Sequence, residues 1–348
     1  MKILKKVSIL AILGIIFVTG CSKTSKDKGV EPISATEFVF NTVSMISIYE
    51  NKGDKDSNEI INEAFDLCVE YEHLFSRTYE GSDIWNINNS EGKPVLVSDE
   101  TIYLLDHSSY YGHLSSGVFD VTLGKISEMW DFTGENPQVP DPLELEEALS
   151  HTGFEKIKIN GNEVTLEDPN AKIDLGGIAK GYAADKVKDF LMEKGITSGV
   201  INLGGNIVVF GGKPSSKGEE ILPFAVAITE PTNSEKAETI GYFSIEDGSV
   251  VTSGNYERYF EEGGIRYHHI LDPKTGYPSE SGLDSVTIYS EKSADGDALS
   301  TLCFVLGAEK SLPLIESMEN TEAVFITSEG GIIYTSGIDK TVPYTKLK

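Results

Sequence analysis

Gly199-Val200-Ile201-Asn202-Leu203-Gly204-Gly205-Asn206-Ile207-Val208-Val209-Phe210 decides the fold class, because it opens a run of strand-like segments with no helix between them. Further strands read at 224–229, 240–245, 249–253, 267–271 and 284–290. Parallel strands need long crossovers, usually helical, so this spacing favours antiparallel sheet over a doubly wound parallel one. Upstream, a helix spans about 177–194 and stops at Gly195. Residues 156–159 and 163–166 flank Asn160-Gly161-Asn162, a hairpin signal. Ile61, Phe65, Cys68, Tyr71 and Phe75 give 58–75 a helical period. Residues 100–114 read as a second helix, 141–149 as a short acidic one, and 38–49 as a strand. Downstream, 295–306 and 309–318 read as helices, and strands at 323–326 and 331–334 end the fold. The layout is α+β, with mixed, mostly antiparallel sheets and packed helices.

The N-terminus stands apart. Lys2, Lys5 and Lys6 precede an apolar run over 7–18, and Val18-Thr19-Gly20-Cys21 follows. That is the layout of a secretory signal over residues 1–20, too short for a spanning helix. The small residues before Cys21 resemble a bacterial lipobox, which would make Cys21 a lipidated mature terminus, anchored to a membrane without crossing it. Residues 21–34 are Lys/Ser/Gly/Pro-rich and read as a flexible tether. Residues 35–348 then form the folded domain.

Charge excludes one class of partner. The chain has 29 Lys+Arg against 55 Asp+Glu, a net −26, and loss of the signal takes it to −29. Nucleic-acid affinity rests on cations that neutralise phosphates, so no nucleic-acid partner is expected. Any phosphate ligand must be held by local devices: a metal ion, a helix start or a single lysine. Cys68 and Cys303 sit in apolar helical patterns and read as small buried hydrophobes.

Four segments are stranger than packing requires. Asp174-Leu175-Gly176-Gly177-Ile178-Ala179-Lys180 places a carboxylate before a Gly-Gly pair that opens a helix with Lys180 in its first turn. It reads equally as an anion site at a helix start or as a glycine turn for close packing, and it matches neither a Walker A nor a GxGxxG pattern. Asp297 and Thr301 lie four residues apart, so both oxygens can face one hard cation such as Mg2+; a capping Asp and a buried Thr would give the same pattern. His268 and His269, adjacent on a strand, point to opposite faces, so one is free to act as a base while the other packs. Gly117-Val118-Phe119-Asp120, with Trp130 downstream, suits either a pocket for a flat aromatic ligand or a core strand with one surface acid.

Taken in this order, and with Phe75-Ser76, Ser82-Asp83-Ile84, Asn88, Asn202-Leu203-Gly204-Gly205-Asn206, Thr252-Ser253-Gly254-Asn255-Tyr256-Glu257-Arg258 and Asp272-Pro273-Lys274-Thr275-Gly276, these segments resemble the ApbE family. Its members are FAD:protein FMN transferases, also described as flavin-trafficking lipoproteins. The resemblance runs from about Phe38 to Tyr334. It implies an ApbE-like, T-fold-related domain that transfers FMN from FAD to a threonine of an exported acceptor flavoprotein, with Mg2+, releasing AMP. It implies a metal set of the Gly177 carbonyl, Asp297, Thr301 and a Ser300 oxygen. Flavin contacts fall on Phe40, Thr78, Val118, Phe119, Asp120, Asp174, Lys180 and Ile270, and His269 takes the threonine proton. Phe40 and Thr78 depart from the family's usual Met and Tyr. Three other readings compete: an FAD pyrophosphatase with water as nucleophile, a non-catalytic FAD-binding lipoprotein, and an intrinsic flavoprotein redox enzyme. No Rossmann fingerprint supports the last.

Overall fold

The computed structural model describes residues 29–218, 220–232, 234 and 237–348. The signal segment, Cys21 and most of the tether lie outside the described residues. The chain runs β1 (Ile33–Val39), β2 (Thr42–Asn51), α1 (Ser57–Phe75), α2 (Asp83–Asn88), β3 (Val95–Leu96), α3 (Asp99–Leu114), α4 (Gly124–Trp130) and α5 (Pro142–Ser150). It continues through β4 (Ile157–Asn160), β5 (Glu163–Leu166), α6 (Ala179–Glu193), β6 (Ile196–Leu203), β7 (Asn206–Phe210), β8 (Lys213–Pro214) and β9 (Ile221–Leu222). Then come β10 (Phe224–Thr229), β11 (Thr239–Ile245), β12 (Gly248–Gly254), β13 (Tyr259–Glu262), β14 (Ile265–His268) and β15 (Leu283–Ser290). Helices α7 (Ser293–Leu306) and α8 (Ala308–Glu316) precede β16 (Glu322–Thr327), β17 (Ile332–Tyr334) and β18 (Tyr344–Lys346).

The expected α+β class holds. An eight-stranded sheet, ordered β1-β2-β6-β7-β12-β15-β16-β17, is antiparallel at every pairing. Side chains alternate between its faces. Ile201 and Val208 join the core beneath α1 and α6, whereas Val200 and Val209 face a second sheet, β10-β11-β18. Likewise Phe325 packs toward α7, while its neighbours Val324 and Ile326 face that second sheet. A sheet buried on both faces reads as continuous apolar sequence, which is why 199–210 passes for one strand. It is two, β6 and β7, joined by Gly204-Gly205 at φ +60° and +92°, where a non-glycine residue would be strained. The segment 38–49 divides the same way: Phe40-Asn41, both at φ +54°, turn β1 into β2. β1 also opens at Ile33, inside the stretch read as tether.

Two expectations about the second quarter of the chain need correcting. Residues 117–122 form a loop rather than a strand, and its Asp120 is turned inward. Trp130 lines no pocket: it is fully buried among Phe132, Phe260, Tyr267 and Tyr277, and its indole N–H donates to the Gly276 carbonyl at 2.7 Å. It thereby fastens both the β13–β14 hairpin and the Asp272–Gly276 turn, the segments either side of His268-His269. Truncating a buried Trp typically costs about 3–5 kcal/mol. Cys68 and Cys303 are free and buried, as read from their patterns.

Candidate active site

The site forms where α6 and α7 cross, and glycine permits the crossing. A Cβ on Gly181 would stand 2.2 Å from the Ser293 carbonyl oxygen, and one on Gly296 2.8 Å from Val251. α6 has no side-chain cap of its own, because Ile178 holds its N-cap position. Asp297 of α7 supplies one: its Oδ2 accepts the Gly181 amide at 2.9 Å. Its Oδ1 is 3.4 Å from Lys180 Nζ, which also donates to the Gly176 carbonyl at 3.2 Å. The first-turn donors are therefore largely engaged within the protein, since the Ala179 amide donates to Leu175. The helix start is a weaker anion site than its sequence suggests, and Lys180 is the cation it offers.

Asp297 and Thr301 do share one face of α7. Thr301 Oγ1 lies 3.4 Å from the position of a Cβ on Gly177, so the glycine turn and this hydroxyl are neighbours. Thr301 Oγ1 has only a long 3.5 Å contact with Ser253 Oγ, leaving it free to ligate. Ser300 differs. It is fully buried, donates to the Asp297 carbonyl at 3.0 Å and meets Ser253 Oγ at 2.8 Å, which leaves its oxygen one lone pair. One carboxylate oxygen at 2% residue exposure, a free hydroxyl and a nearby glycine carbonyl form a hard-oxygen set that suits Mg2+ sharing its shell with water and phosphate. Among the described residues no three acidic, His or Cys side chains cluster as a self-sufficient metal cage.

Asp174 is held from several sides. Its amide donates to Val121 O at 2.7 Å, and its carboxylate accepts from Arg77 Nε at 3.1 Å and Gly176 N at 2.9 Å. Buried Asn88 clamps both backbone groups of the preceding Ile173, at 2.6 and 2.8 Å. Phe119 is buried, with its ring edge 3.5 Å from a Cβ placed on Gly177. Asp120 accepts from Thr122 N at 2.8 Å and Thr122 Oγ1 at 2.6 Å, which locks its own loop. Burial raises its pKa against those hydrogen bonds. Val118 is half-buried on the same loop. Thr78 is exposed and bonded to Ser76, and Ile270, next to His269, is buried.

The two histidines carry opposite tautomers. His268 Nε2–H donates to the Ser279 carbonyl at 3.1 Å while its Nδ1 accepts the Ile270 amide, so both nitrogens are engaged. His269 Nδ1 faces the Arg258 carbonyl at 3.3 Å. A carbonyl only accepts, so Nδ1 carries the proton and Nε2 keeps its lone pair. Burial first, then the charges of Arg258, His268 and Lys180, hold the imidazole pKa well below 6.5. His269 is thus a neutral base near Lys180.

Sequence reasoning assigned no role to Arg77, Ser253, Glu257 or Arg258, although all but Arg77 lie in the quoted 252–258 stretch. Glu257 is exposed, within electrostatic reach of Lys180, Arg258 and Asp297. A surface hollow of about 320 Å³ lies elsewhere, between α8 and β16, and its lining of Glu316, Glu319 and Glu322 offers nothing to an anion.

Hard oxygens, one lysine and a neutral imidazole on an antiparallel scaffold make an enzyme suited to chemistry at phosphorus, outside the Walker and Rossmann classes. The ApbE family profile matches residues 40–325, and the chain belongs to that family. An FAD:protein FMN transferase of Treponema pallidum (strain Nichols) is 34% identical over 320 residues, which are 89% of this chain and 88% of the relative. The crystal structure of the ApbE protein from Thermotoga maritima superposes with a TM-score of 0.80 at 33% identity, covering 88% of this chain and 97% of that one. The flavin transferase ApbE from Vibrio cholerae gives 0.78 at 27% identity, covering 89% and 98%.

Proposed function

We propose that this transferase moves the FMN half of FAD onto a threonine hydroxyl of an exported acceptor flavoprotein, in a Mg2+-dependent reaction that releases AMP. The observation that carries the reading is His269: its Nδ1–H is tied to Arg258 and its Nε2 is unprotonated, within electrostatic reach of Lys180. The threonine oxygen attacks the FMN-side phosphorus, and its proton passes to Nε2. An O–P bond forms as the bond to the AMP phosphate oxygen breaks. Lys180 offsets charge on the phosphates, a role that grows with exclusion of water. Asp174, anchored by Arg77, together with Phe119, Val118, Asp120 and Ile270 would bound the flavin, with Phe40 and Thr78 at the cleft edge. Asp297, Thr301 and the Gly177 carbonyl would hold Mg2+, which supplies charge neutralisation at the phosphate oxygens.

The same reading puts the enzyme outside the cytoplasm, lipid-anchored through Cys21. Among the described residues no helix is long and apolar enough to cross a membrane, so the anchor would act alone. The test is to mix the chain with FAD, Mg2+ and an exported flavoprotein domain. An acceptor mass gain of FMN less water, lost with chelator or on Thr→Ala at the acceptor, is expected. Free FMN and AMP with unlabelled acceptor would replace transfer by FAD pyrophosphatase activity; FAD retained intact would replace it by a binding role.

A further inference from the structure

We infer that Arg258 is a positioning residue that sets His269 and the β1–β2 turn in one geometry, its carbonyl holding the imidazole and its guanidinium holding the turn. The inference rests on the proposed reading and adds to it. The Arg258 carbonyl accepts twice from His269, from the backbone amide at 3.1 Å and from Nδ1 at 3.3 Å. The guanidinium Nη2 reaches the other way, to the carbonyls of Phe40 at 3.3 Å and Asn41 at 3.2 Å. Those two residues both stand at φ +54°. Asn tolerates that region, but Phe does not visit it without support, and such strain persists only where surroundings over-determine it. Charge-assisted bonds from a cation to both turn carbonyls are that support. One residue thus connects the turn bearing Phe40 to the nitrogen that takes the proton.

The Arg258 charge, although its guanidinium points to the turn, also acts on the imidazole through space. The cations beside His269 are Arg258 and Lys180, with His268 next in the chain, and Glu257 adjoins Arg258. Removing the Arg258 charge makes the imidazolium easier to form, whereas replacing it with another cation does not. Geometry and charge can therefore be separated by two variants.

The experiment compares Arg258→Lys and Arg258→Gln with wild type in the full chain, after circular dichroism and melting have shown both folded. Arg258→Lys should keep the acid limb of kcat/KM and raise the KM for FAD about tenfold, the scale of one charge-assisted hydrogen bond lost. Arg258→Gln should raise KM similarly and also move the acid limb to higher pH. Imidazole NMR titration of His269 without FAD should show that same upward move in the Gln variant alone. Phe40→Ala combined with Arg258→Lys should be less than additive in KM, because both act through one turn. A working wild type whose Gln variant keeps both KM and the acid limb, or full additivity in the double variant, overturns the role of Arg258 only. A wild type that neither binds nor cleaves FAD overturns the functional reading, and this inference with it.

Discussion

Asp297 and Asp185 cap each other's helices. Asp297 on α7 accepts the Gly181 amide in the first turn of α6, while Asp185 on α6 accepts the Ser293 and Ala294 amides, at 2.8 and 3.0 Å, at the start of α7. Contacts 181–297 and 185–293 run in opposite chain directions, so the helices are antiparallel at the crossing. Each start contributes unpaired N–H groups and a positive dipole end, and each receives a carboxylate from its neighbour. The exchange fixes α7 relative to the glycine turn and so fixes where Asp297 and Thr301 stand.

Asp297 has two tasks, and two substitutions separate them. Asp297→Asn retains an acceptor oxygen for the Gly181 amide. It should melt close to wild type yet lose FAD turnover by roughly a hundredfold or more. Asp297→Ala removes the cap as well and should cost about 1 kcal/mol further in stability. Melting curves and AMP release with and without Mg2+ decide. Turnover that survives in the Asn variant would show that the carboxylate charge has no part in the reaction.

Gly181→Ala tests the crossing itself. The added methyl would meet a backbone oxygen, which cannot rotate away. α7 must move, and overpacking of this kind costs about 1–3 kcal/mol. Because Asp297 and Thr301 move with α7, the variant should lower both the melting temperature and the affinity for Mg2+, read by titrating the metal against FAD turnover. A loss of stability with unchanged Mg2+ dependence would separate the crossing from the metal site.

Sequence made some of this legible for physical reasons and hid the rest for others. The pair Asp297 and Thr301 was readable because four-residue spacing guarantees a shared helix face. The two histidines do part ways, but not by strand alternation: β14 ends at His268 and His269 stands in the bend that follows. The antiparallel class followed from spacing alone. Hidden was the hairpin at Gly204-Gly205, because a sheet buried on both faces erases the polar alternation that marks strand ends. So was the one at Phe40-Asn41, where the exposed edge strand β1 turns at a Phe-Asn pair without the glycine that usually marks a left-handed turn. Hidden too was the use of the Gly181 amide inside the protein, which depends on a contact 116 residues away in sequence. The partner of the Ser300 hydroxyl, Ser253 of β12, lies 47 residues away in sequence and could not be read from spacing. Trp130 near an Asp suggested a ligand wall, and only packing shows it holding the hairpin ahead of His269.

His269 should act as base well into mildly acidic solution. Its folded pKa is depressed, so the imidazole stays neutral below 6.5 and protonates only as pH falls through the folded value. The acid limb of kcat/KM should therefore lie below the ordinary histidine range. His269→Gln should reduce transfer about a hundred- to ten-thousandfold while leaving FAD binding measurable by flavin fluorescence. An acid limb at or above 6.5 would mean that another group is the base.

Asp185 makes a stability prediction with the opposite sign. Burial raises its pKa from 3.8 to about 6, against two backbone hydrogen bonds that favour the anion, and Asp295 adds to the rise. Between those values the folded chain keeps a proton that the unfolded chain has released. Its contribution is thus fully present below 3.8 and is lost as pH rises through about 6. Asp185→Asn removes the titration but also one of two acceptor oxygens, so its stability at any single pH decides nothing. The difference between variant and wild type does, because every other carboxylate is common to both. From pH 4 to pH 7 that difference should move in favour of the variant by about 1–2 kcal/mol, allowing for partial screening by solvent. Denaturant melts at the two pH values measure it; a constant difference would mean that Asp185 titrates as an ordinary surface carboxylate and that the cap on α7 carries no buried charge.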